Sequence, residues 1–389
     1  MARVAMLLEN NPYPQDVRVR SEAESLASAG HDVTVWAPRA PEQPRRERVG
    51  GVKVRRFRLP ETPASPLGFV LEYSIANASL YLAGIVELLR GADVVHFHNP
   101  PDTLFGVGFL ARLLGRQVVF DHHDLAPELF EAKFGDSAVV RALRFFERLT
   151  FASSTLVVTA NESHHEVAMK RGGIAEERII IVRNGPPAAA FEAATEPRGG
   201  VLEEPRLLFL GSMESQDGVD DLVPLLEALA SRHDLPGARL TVVGEGSRRP
   251  ALTAAAAAAG LDSRVRFTGR VPHAEVPALL AEADICLDPA PCTELNHRST
   301  MIKIAEYMAA RRPVVSFPLL ETKRTAGEAA AFAGEDGGLD SFAAQVAALA
   351  RDPDRRAELA RRGSERARSL GWDSSEAQLL AAYAALNTH

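Results

Sequence analysis

The chain has 389 residues, of which 46% are apolar and 24% charged, and its formal net charge is −7. This length exceeds one ordinary hydrophobic core and predicts two domains of somewhat under about 200 residues each. The ordinary composition excludes a disordered chain, and the acidic balance argues against a general nucleic-acid-binding protein.

Compartment signals are sparse but agree with one another. Only two cysteines occur, which favours a reducing compartment over a disulfide framework. The apolar run at the start of the chain is too short for a signal peptide and predicts a strand. The longest apolar region, Leu67 to Leu89, contains Glu72 and Glu87, so it predicts an amphipathic helix and not a membrane span. We expect a cytoplasmic protein whose membrane contact, if any, is peripheral and at the inner face.

The first half of the chain alternates between strand and helix patterns. A strand at Arg3–Leu8 leads through a loop without glycine to a helix at Val17–Ala29, and a strand follows at Asp32–Trp36. This unit predicts a parallel sheet with right-handed crossovers, and its loop is not the glycine-rich turn of a dinucleotide site. Further strands are predicted at 52–57, 93–97, 117–121, 155–159 and 178–183, with helices at 68–90, 103–114, 138–152 and 161–172.

The alternation breaks at residues 184–187, Asn-Gly-Pro-Pro, and restarts after about residue 204. We therefore predict a Rossmann-like domain at 1–187, a linker rich in Ala, Pro, Gly and Glu at 188–204, and a second Rossmann-like domain at 205–371. In the second domain we expect strands at 207–210, 239–243, 265–268, 285–287, 313–317 and 330–333. Its helices are predicted at 219–232, from about 250, from about 299, at 340–350 and at 354–368, and a last helix at 372–386.

Four groups of polar or small residues follow predicted strands. Because ligands of parallel open sheets sit outside the carboxyl ends of the strands, we expect these groups to line a site in the crevice between the domains. The groups are His96–Asn99, His122–Asp124, Gly211–Gly218 and Gly244–Ser247.

Four histidines invite a zinc hypothesis, but their spacing matches neither H-E-x-x-H nor a thiolate finger. We therefore rank metal binding below acid–base or hydrogen-bonding roles. For His96 and His122 the simpler interpretation is that they cap strand ends. His123 and Asp124 are better placed to meet a polar ligand. Gly244-x-Gly246 is a weak signal, because it predicts either a tight turn or close backbone approach to a ligand.

The helix predicted to open near residue 299 concentrates charge at its start. Ser299 and Thr300 are predicted to cap it, with Arg298 just before the helix and Lys303 one turn inside. Lys303 and Glu306 are three apart and share a face. A helix N-terminus with a cation and a carboxylate suits a phosphate and a sugar hydroxyl. The alternative is an ordinary surface ion pair.

Several stretches spread over nearly the whole chain form a specific combination, although each stretch alone is unspecific. They are SEAESLASAGHDVTVWA, DVVHFHNP, VTANES, IIIVRNG, LLFLGSMESQDGVDDL (207–222), LTVVGEGS (240–247), VRFTGRVPHAEVPALLAEADICLDP (265–289) and KIAEYMAARRPVV (303–315). Together they resemble a family 4 glycosyltransferase. The resemblance is to a bacterial subgroup with an STM-x-K motif before EYMA.

This resemblance implies an α/β GT-B fold, in which two doubly wound Rossmann-like domains face each other and the last helix crosses back to the first. It implies a retaining, metal-independent hexosyl transfer from a nucleoside-diphosphate sugar, UDP-linked, to a hydroxyl acceptor. The acceptor is a glycan, a lipid-linked glycan or a natural-product aglycone. The donor is a co-substrate, so no cofactor is implied, and nucleic acid is not a partner.

Residue roles carry over by position. Glu306 matches the second glutamate of the family's Glu-x7-Glu motif, which holds the donor ribose, and His123 matches a histidine near the transferred sugar. The nucleobase is implied to lie at Arg270 and Val271. The full donor set is Gly211, Ser212, Gly244, Gly246, Arg270, Val271, Ser299, Thr300 and Glu306. The acceptor and cleft set is Asn11, Tyr13, Gln15, Asp16, His98, Asp124 and Asn161, with Arg183 also facing the cleft.

The chain departs from the family at three positions. Arg298 replaces the first glutamate of the motif, and Ser212 and Asp217 replace the usual arginine and lysine of the diphosphate clamp. We infer that Arg298 and Lys303 bind the diphosphate instead. Fixed cations stabilise the charge that develops on it without a metal. The predicted catalytic residues are therefore Arg298, Lys303 and His123, the last as a neutral imidazole that orients the oxocarbenium-like sugar.

Three other functions stay open. A nucleotide-sugar 2-epimerase has a similar fold, and it would act without an acceptor. A dinucleotide-dependent oxidoreductase also has Rossmann-like halves, but the first loop lacks the G-x-G-x-x-G signature. A non-catalytic nucleotide-sugar binding protein stays open because Ser212 and Asp217 replace the usual arginine and lysine, and detectable transfer or donor hydrolysis would exclude it.

Overall fold

A computed structural model describes residues 1–60, 66–186, 191, 194–334 and 337–386, and for 66–70 and 133 it describes the backbone alone. Residues 188–190, 192 and 193 of the predicted linker and 387–389 lie outside the described residues. The chain forms two compact units. The first holds Met1–Arg183 together with 375–386, and the second holds Asn184–Ser374.

The first unit is built on an eight-stranded sheet. Its strands are β1 (Arg3–Leu7), β2 (Asp32–Pro38), β3 (Arg46–Val49), β4 (Val52–Phe57), β5 (Val94–His98), β6 (Gln117–His122), β7 (Leu156–Thr159) and β8 (Ile179–Ile181). The spatial order is β3-β4-β2-β1-β5-β6-β7-β8, and every pairing is parallel except β3 with β4. The strand β3 was not predicted, because its four residues are mostly charged and carry no apolar run.

Helices connect most of these strands. They are α1 (Val17–Ser28), α2 (Pro66–Leu89), α3 (Phe105–Leu113), α4 (Ala126–Phe134), α5 (Ala138–Ser153) and α6 (Glu162–Lys170). The C-terminal helix, Trp372–Leu386, contributes residues from 375 onward to the same unit. Helix α4 was not predicted. The other helices lie where their periodicity placed them, within a few residues at each end.

The alternation of side chains along β5 separates two layers. Val95 and Phe97 lie in an apolar core with residues of α2, α3 and α5. His96 and His98 are also fully buried. His96 Nδ1 shares a 2.8 Å hydrogen bond with the hydroxyl of Tyr383 in the C-terminal helix. One side of this strand is therefore apolar core and the other a buried polar layer.

The second unit contains a six-stranded, wholly parallel sheet in the order β11-β10-β9-β12-β13-β14. The strands are β9 (Arg206–Leu210), β10 (Arg239–Val243), β11 (Val265–Gly269), β12 (Ile285–Asp288), β13 (Val314–Ser316) and β14 (Ala330–Phe332). The helices are α7 (Leu222–Arg232), α8 (Arg249–Ala258), α9 (Val276–Glu282), α10 (Glu294–Arg298), α11 (Ile302–Ala309), α12 (Leu320–Ala326), α13 (Leu339–Arg351) and α14 (Pro353–Leu370). Helices α9, α10 and α12 were not predicted.

Within the predicted linker, residues 194–204 pack on the second unit. Leu202 is buried in the core, and its N–H donates to the carbonyl of Ala350 at 2.8 Å. Arg198 Nη2 donates to Asp284 Oδ2 at 2.8 Å. This part of the chain is therefore anchored by backbone and side-chain hydrogen bonds.

Within the described residues, no helix is both long and apolar enough to cross a membrane. This holds for α2 as far as it is described, although it is the longest of the described helices.

Candidate functional site

In the second unit, polar and small residues gather where the strands end. Gly211 follows β9, Gly244 follows β10 and Arg270 follows β11, while Asp288 is the last residue of β12. All these strands are parallel, so their carboxyl ends lie at one edge of the sheet. The second unit therefore presents the edge at which open α/β sheets bind ligands.

Two glycine-containing loops meet at this edge. The N–H of Gly211 donates to the carbonyl of Val243 at 3.0 Å. Gly244 has a φ of +134°, and a Cβ there would lie 1.9 Å from the carbonyl oxygen of Gly211. A Cβ at Gly246 would lie 2.4 Å from the carbonyl oxygen of Met213. Glycine is thus required because the loops contact each other, which is a close backbone approach within the protein.

Lys303, in the first turn of α11, places a buried cation beside these loops. Its Nζ lies 3.2 Å from Asp217 Oδ1 and 3.3 Å from Asp288 Oδ1, and 4.7 Å from the ring centroid of Phe209. A Cβ at Gly211 would lie 3.4 Å from the same Nζ. The ammonium is held by two carboxylates and an aromatic face, directly under the first glycine loop.

Glu306 lies one turn further along α11 and is half-buried. Burial raises the pKa of its carboxyl to about 7, although the charge of Lys303 opposes the shift. Near neutral pH the group is therefore divided between its two protonation states, and it can accept or donate a hydrogen bond.

The predicted cap of this helix is wrong. Helix α11 begins at Ile302 with Met301 at its N-cap, and no side chain caps it. Ser299 instead ends the short helix α10, and its hydroxyl donates to the carbonyl of Leu295 at 2.9 Å. The reason is that Thr293 caps α10 by accepting the N–H of Asn296 at 3.2 Å, which draws the preceding residues into a separate helix.

The remaining predicted donor residues differ in exposure. Arg298 is the last residue of α10, partly exposed, with a guanidinium nitrogen 3.5 Å from Glu294. Ser212 and Arg270 are exposed, whereas Val271 packs against the core beneath α11. Arg298 therefore belongs to helix α10 and does not directly precede α11.

In the first unit, His123 lies just beyond the end of β6, partly exposed, with Nδ1 3.1 Å from Asp121 Oδ2. Burial opposes protonation of this imidazole, but the charge of Asp121 outweighs it and raises the pKa of His123 to about 9. The prediction of a neutral His123 is therefore wrong. The side chain is an imidazolium at neutral pH.

Asp121 is the centre of a buried ion network. Arg18 of α1 donates to both its carboxylate oxygens, at 2.7 and 2.6 Å, and its third nitrogen donates to the carbonyl of Val182 at 2.7 Å. His98 Nδ1 lies 3.0 Å from Asp121 Oδ2. Burial disfavours the Asp121 carboxylate, but Arg18 and the two histidines lower its pKa well below the ordinary value. His98, predicted to face the cleft, is fully buried in this network.

Within the described residues, one group of side chains has the composition of a metal site. Ligand atoms of Glu22, His96, His98 and Asp121 lie within 4.8 Å of one another. However, Arg18 Nε lies 3.3 Å from Glu22 and already neutralises Asp121. Burial and the charge of Asp121 raise the pKa of Glu22 well above its ordinary value, which favours a neutral acid. Arg18 therefore already neutralises the carboxylate of this group that stays ionised, and the absence of a catalytic metal stays a prediction.

Two predicted acceptor residues cap helices. Asp16 accepts the N–H of Val19 at 3.0 Å at the start of α1. The buried Asn161 accepts the N–H of His164 at 2.8 Å at the start of α6. Each side chain therefore already caps a helix, and it would have to contact a ligand in addition to capping.

The other predicted acceptor residues are distributed between core and surface. Tyr13 is fully buried, and its carbonyl accepts from Arg56 Nη2 at 2.9 Å. The N–H of Asp124 donates to the side chain of Asn99 at 3.0 Å. Asn11 and Gln15 are exposed, and Arg183 forms an ion pair with Glu162.

The sequence-based site set did not include Arg18, Glu22, Asp121, Asp217 or Asp288, which hold the predicted residues in place. A signal existed for the first pair. Arg18 and Glu22 are four apart on the buried face of an otherwise apolar-patterned helix, and buried charges require partners. For Asp288 the signal is its position at the carboxyl end of an apolar strand.

Both halves of the chain match known protein families. Residues 15–185 match the Glycosyl transferase 4-like domain, and residues 204–352 match Glycosyl transferases group 1. The D-inositol 3-phosphate glycosyltransferase of Salinispora tropica is 27% identical over 95% of this chain and 80% of its own length. Two glycogen synthases of Mycobacterium tuberculosis are 32% identical over 154 residues, which cover 39% of this chain and only 36% of their own length.

Solved structures resemble the whole chain at low identity. The sucrose-phosphate synthase of Thermosynechococcus elongatus has a TM-score of 0.74 and 17% identity, with 99% of both chains covered. The Anabaena protein HepE, solved with UDP-glucose, has a TM-score of 0.71 and 16% identity, with 99% of this chain and 100% of HepE covered. These two similarities bear on the fold alone.

Proposed function

We propose that this chain is a retaining glycosyltransferase that moves a hexosyl group from a UDP-linked donor to a hydroxyl acceptor. Its two halves belong to the Glycosyl transferase 4-like and Glycosyl transferases group 1 families, and its fold is GT-B. The observation that carries the proposal is that Lys303 and Glu306 lie one turn apart on α11, at the carboxyl edge of the second sheet. The donor class is supported by HepE, which binds UDP-glucose on a similar fold.

The protein would bind three parts of the donor: the ribose, the nucleobase and the diphosphate. Glu306 binds the ribose hydroxyls, for which a carboxyl that both accepts and donates is suited. Arg270 and Val271 meet the nucleobase, since one is exposed and charged and the other apolar. Lys303 and Arg298 bind the diphosphate, and the loops at Gly211–Ser212 and Gly244–Gly246, together with Ser299 and Thr300, surround it.

Lys303 supplies the electrostatic part of the reaction. Cleavage of the bond between the anomeric carbon and the phosphate oxygen leaves negative charge on the nucleoside diphosphate. A fixed ammonium in a partly buried site stabilises that charge more in the transition state than in the ground state. Before the donor binds, Asp217 is hydrogen-bonded to the ammonium, and the diphosphate is the ligand that displaces Asp217. No metal is required for this role.

The state of His123 supports retention. An inverting enzyme needs a general base on the face opposite the leaving group. A His123 whose pKa is about 9 is already protonated at neutral pH and cannot act as that base. Two carboxylates follow the same strand end: Glu128 forms an ion pair with Arg171, and Asp124 is the candidate base that the configuration of the product tests. We infer that the acceptor oxygen attacks from the leaving-group side, and that its proton passes to the departing phosphate oxygen.

The test is transfer from a panel of nucleotide sugars, with proton NMR of the fresh product. We expect a UDP-hexose to be consumed in the presence of a hydroxyl acceptor, and the anomeric coupling of the product to match that of the donor. The opposite coupling would overturn retention. Epimerisation of the donor without acceptor would favour the epimerase. Thermal stabilisation by UDP-hexose without transfer or hydrolysis would favour a binding protein.

A further inference from the structure

The outer face of the helical layer on the first unit is unusually apolar. From Leu71 onward, the solvent-exposed positions of α2 are Leu71, Ser74, Ala78, Leu82, Ile85 and Leu89. They recur at intervals of three or four residues, so they form one continuous stripe. Leu82 is 64% exposed and Leu89 is 81% exposed. An exposed helix face normally carries charged residues, and this described stripe carries none.

The neighbouring helices extend the stripe sideways into a surface. A Cβ at Gly84 of α2 would lie 2.5 Å from Val107 of α3, so these two helices are in close contact. The rings of Phe105 in α3 and Phe146 in α5 stack with centroids 6.0 Å apart. Helix α3 exposes Phe109 and Leu113, the latter by 83%, and α5 exposes Phe145 by 57%. We call the outer faces of α2, α3 and α5 the apolar face.

The charges on the apolar face have one sign. The charged residues at its exposed positions are Arg112 on α3 and Arg141 and Arg148 on α5. Among the described exposed positions of the three helices there is no carboxylate, since Glu87 and Glu147 are buried and Glu72 is only partly exposed. This is notable in a chain of net charge −7. Acidic residues outnumber basic ones elsewhere, so the charge of the apolar face is opposite in sign to the net charge of the protein.

We propose that the apolar face docks the protein on an anionic membrane surface. Exposed leucine and phenylalanine side chains between arginines are the composition of an interfacial helix, which lies in the headgroup region. The arginines would be attracted by anionic lipid, and the apolar side chains would leave water on contact with the acyl region. Docking is peripheral, because within the described residues no helix can span a membrane.

A second copy of this chain is the competing occupant. In a two-fold symmetric dimer the same patch contacts itself, so the arginines of one copy would meet those of the other with no carboxylate to balance them. Like charges buried together disfavour such an interface. An anionic lipid surface supplies the missing charge. The charge pattern therefore favours the membrane over self-association.

The test uses the full chain and vesicles pelleted by centrifugation. One set of vesicles is phosphatidylcholine alone, and the other contains phosphatidylglycerol at roughly a third of the lipid. We expect the wild-type protein to bind the anionic vesicles, and the binding to weaken as salt screens the charges. Comparable binding to the neutral vesicles would overturn the choice of an anionic surface, and no binding to either would overturn the proposal.

Two variants separate the apolar and the charged contributions. Arg141→Glu with Arg148→Glu should lower the vesicle partition coefficient by roughly 30-fold or more, at about one kcal/mol per cation near the surface. Leu82→Ser with Leu89→Ser and Leu113→Ser should lower it at least about tenfold. The matched controls, Arg239→Glu and Val201→Ser, change exposed residues of the second unit and should leave it unchanged.

Sedimentation velocity on the same proteins tests the competing occupant. We expect the wild-type protein and the leucine variant to sediment alike. A wild-type dimer that the leucine substitutions dissociate, together with vesicle binding that they leave unchanged, would assign the apolar face to self-association. Matching thermal unfolding midpoints show that the variants are folded, so a loss of binding reports on the surface itself.

Discussion

The ammonium of Lys303 lies 3.2 Å from Asp217 Oδ1 and 3.3 Å from Asp288 Oδ1, so one buried cation is shared by two carboxylates that are far apart in the sequence. Burial raises the pKa of Asp217, although Lys303 opposes the shift. Asp288 is instead fixed by the hydroxyl of Ser316, which donates to its Oδ2 at 3.1 Å. Asp217 is therefore the more easily displaced partner, and an anionic ligand that reaches Lys303 would compete with it.

Replacing Lys303 by alanine should lower turnover by about 10²–10³-fold, the usual effect of losing one group that stabilises a developing anion. Initial rates of sugar transfer measure it. The control is Lys323→Ala, an exposed lysine on α12 of the same unit, which should keep near-wild-type turnover. Near-wild-type transfer by the Lys303 variant would assign the diphosphate to another cation.

Replacing Asp217 by asparagine should have the opposite effect on donor affinity. The substitution keeps the shape of the side chain but removes the negative charge that competes with the diphosphate for Lys303. We expect UDP to bind roughly 3–10-fold more tightly, the size of one modest charge-pair effect. Isothermal calorimetry at a single pH decides it. Weaker binding would mean that Asp217 orients Lys303 and does not compete with the ligand.

Removing the Glu306 carboxyl by alanine substitution should weaken UDP binding. The ribose hydroxyls would lose a buried hydrogen-bonding partner, at a cost of about 1–3 kcal/mol. Calorimetry with UDP measures this loss, and Glu282→Ala, at an exposed position of the same unit, serves as the control. An unchanged affinity would exclude contact between Glu306 and the nucleoside.

The protonation of His123 should appear in the pH dependence of stability. Its pKa is about 9 in the folded protein and 6.5 when unperturbed, so the fold favours the protonated form. The stabilisation is complete below about pH 6.5 and is lost as the pH rises through about 9, by on the order of 1–3 kcal/mol. Denaturant unfolding at several pH values should show this decline in the wild type.

In the same experiment His123→Gln should flatten the decline between pH 6.5 and 9, because the titrating group is gone. His165→Gln, a partly exposed histidine of α6, should leave the wild-type slope intact. A wild-type profile that is flat across this range would show that Asp121 does not hold a proton on His123.

Chelation should leave transfer unaffected. The group of Glu22, His96, His98 and Asp121 is neutralised by Arg18, and Lys303 supplies positive charge at the strand ends of the second unit. We expect unchanged initial rates after dialysis against EDTA. Loss of activity that a divalent ion restores would contradict the metal-independent mechanism and assign a metal to the reaction.

The arrangement of strands and helices followed from hydrophobic periodicity, because long alternating or helical patterns depend on local sequence. The strand Val52–Phe57 and the helix Trp372–Leu386 were predicted at their observed bounds. Helix α10 was missed because a tertiary contact stabilises it. Asn296 Nδ2 donates to the carbonyl of Gln216 at 2.9 Å, across 80 residues. No window of local sequence contains that contact.

The charge of His123 could not be predicted for a similar reason. It depends on Asp121, and the ionisation of Asp121 depends on Arg18, which is 103 residues away in the chain. The sequence indicated a histidine beside a ligand, and its protonation state required the geometry. By contrast, Lys303 and Glu306 were predicted to share a face because their spacing on one helix is local.

The first unit is completed by the last part of the chain, and this affects how it is synthesised. The N–H of Arg183 donates to Ser375 Oγ at 2.9 Å, and the hydroxyl of Tyr383 bonds His96 at 2.8 Å. Roughly 190 residues separate the two parts of this unit, so a ribosome adding about 5–20 residues per second needs roughly 10–40 s to supply the missing helix. During that interval the nascent first unit lacks the helix that covers its histidine layer. We expect it to be more accessible to chaperones and proteases during that interval than after the helix has packed.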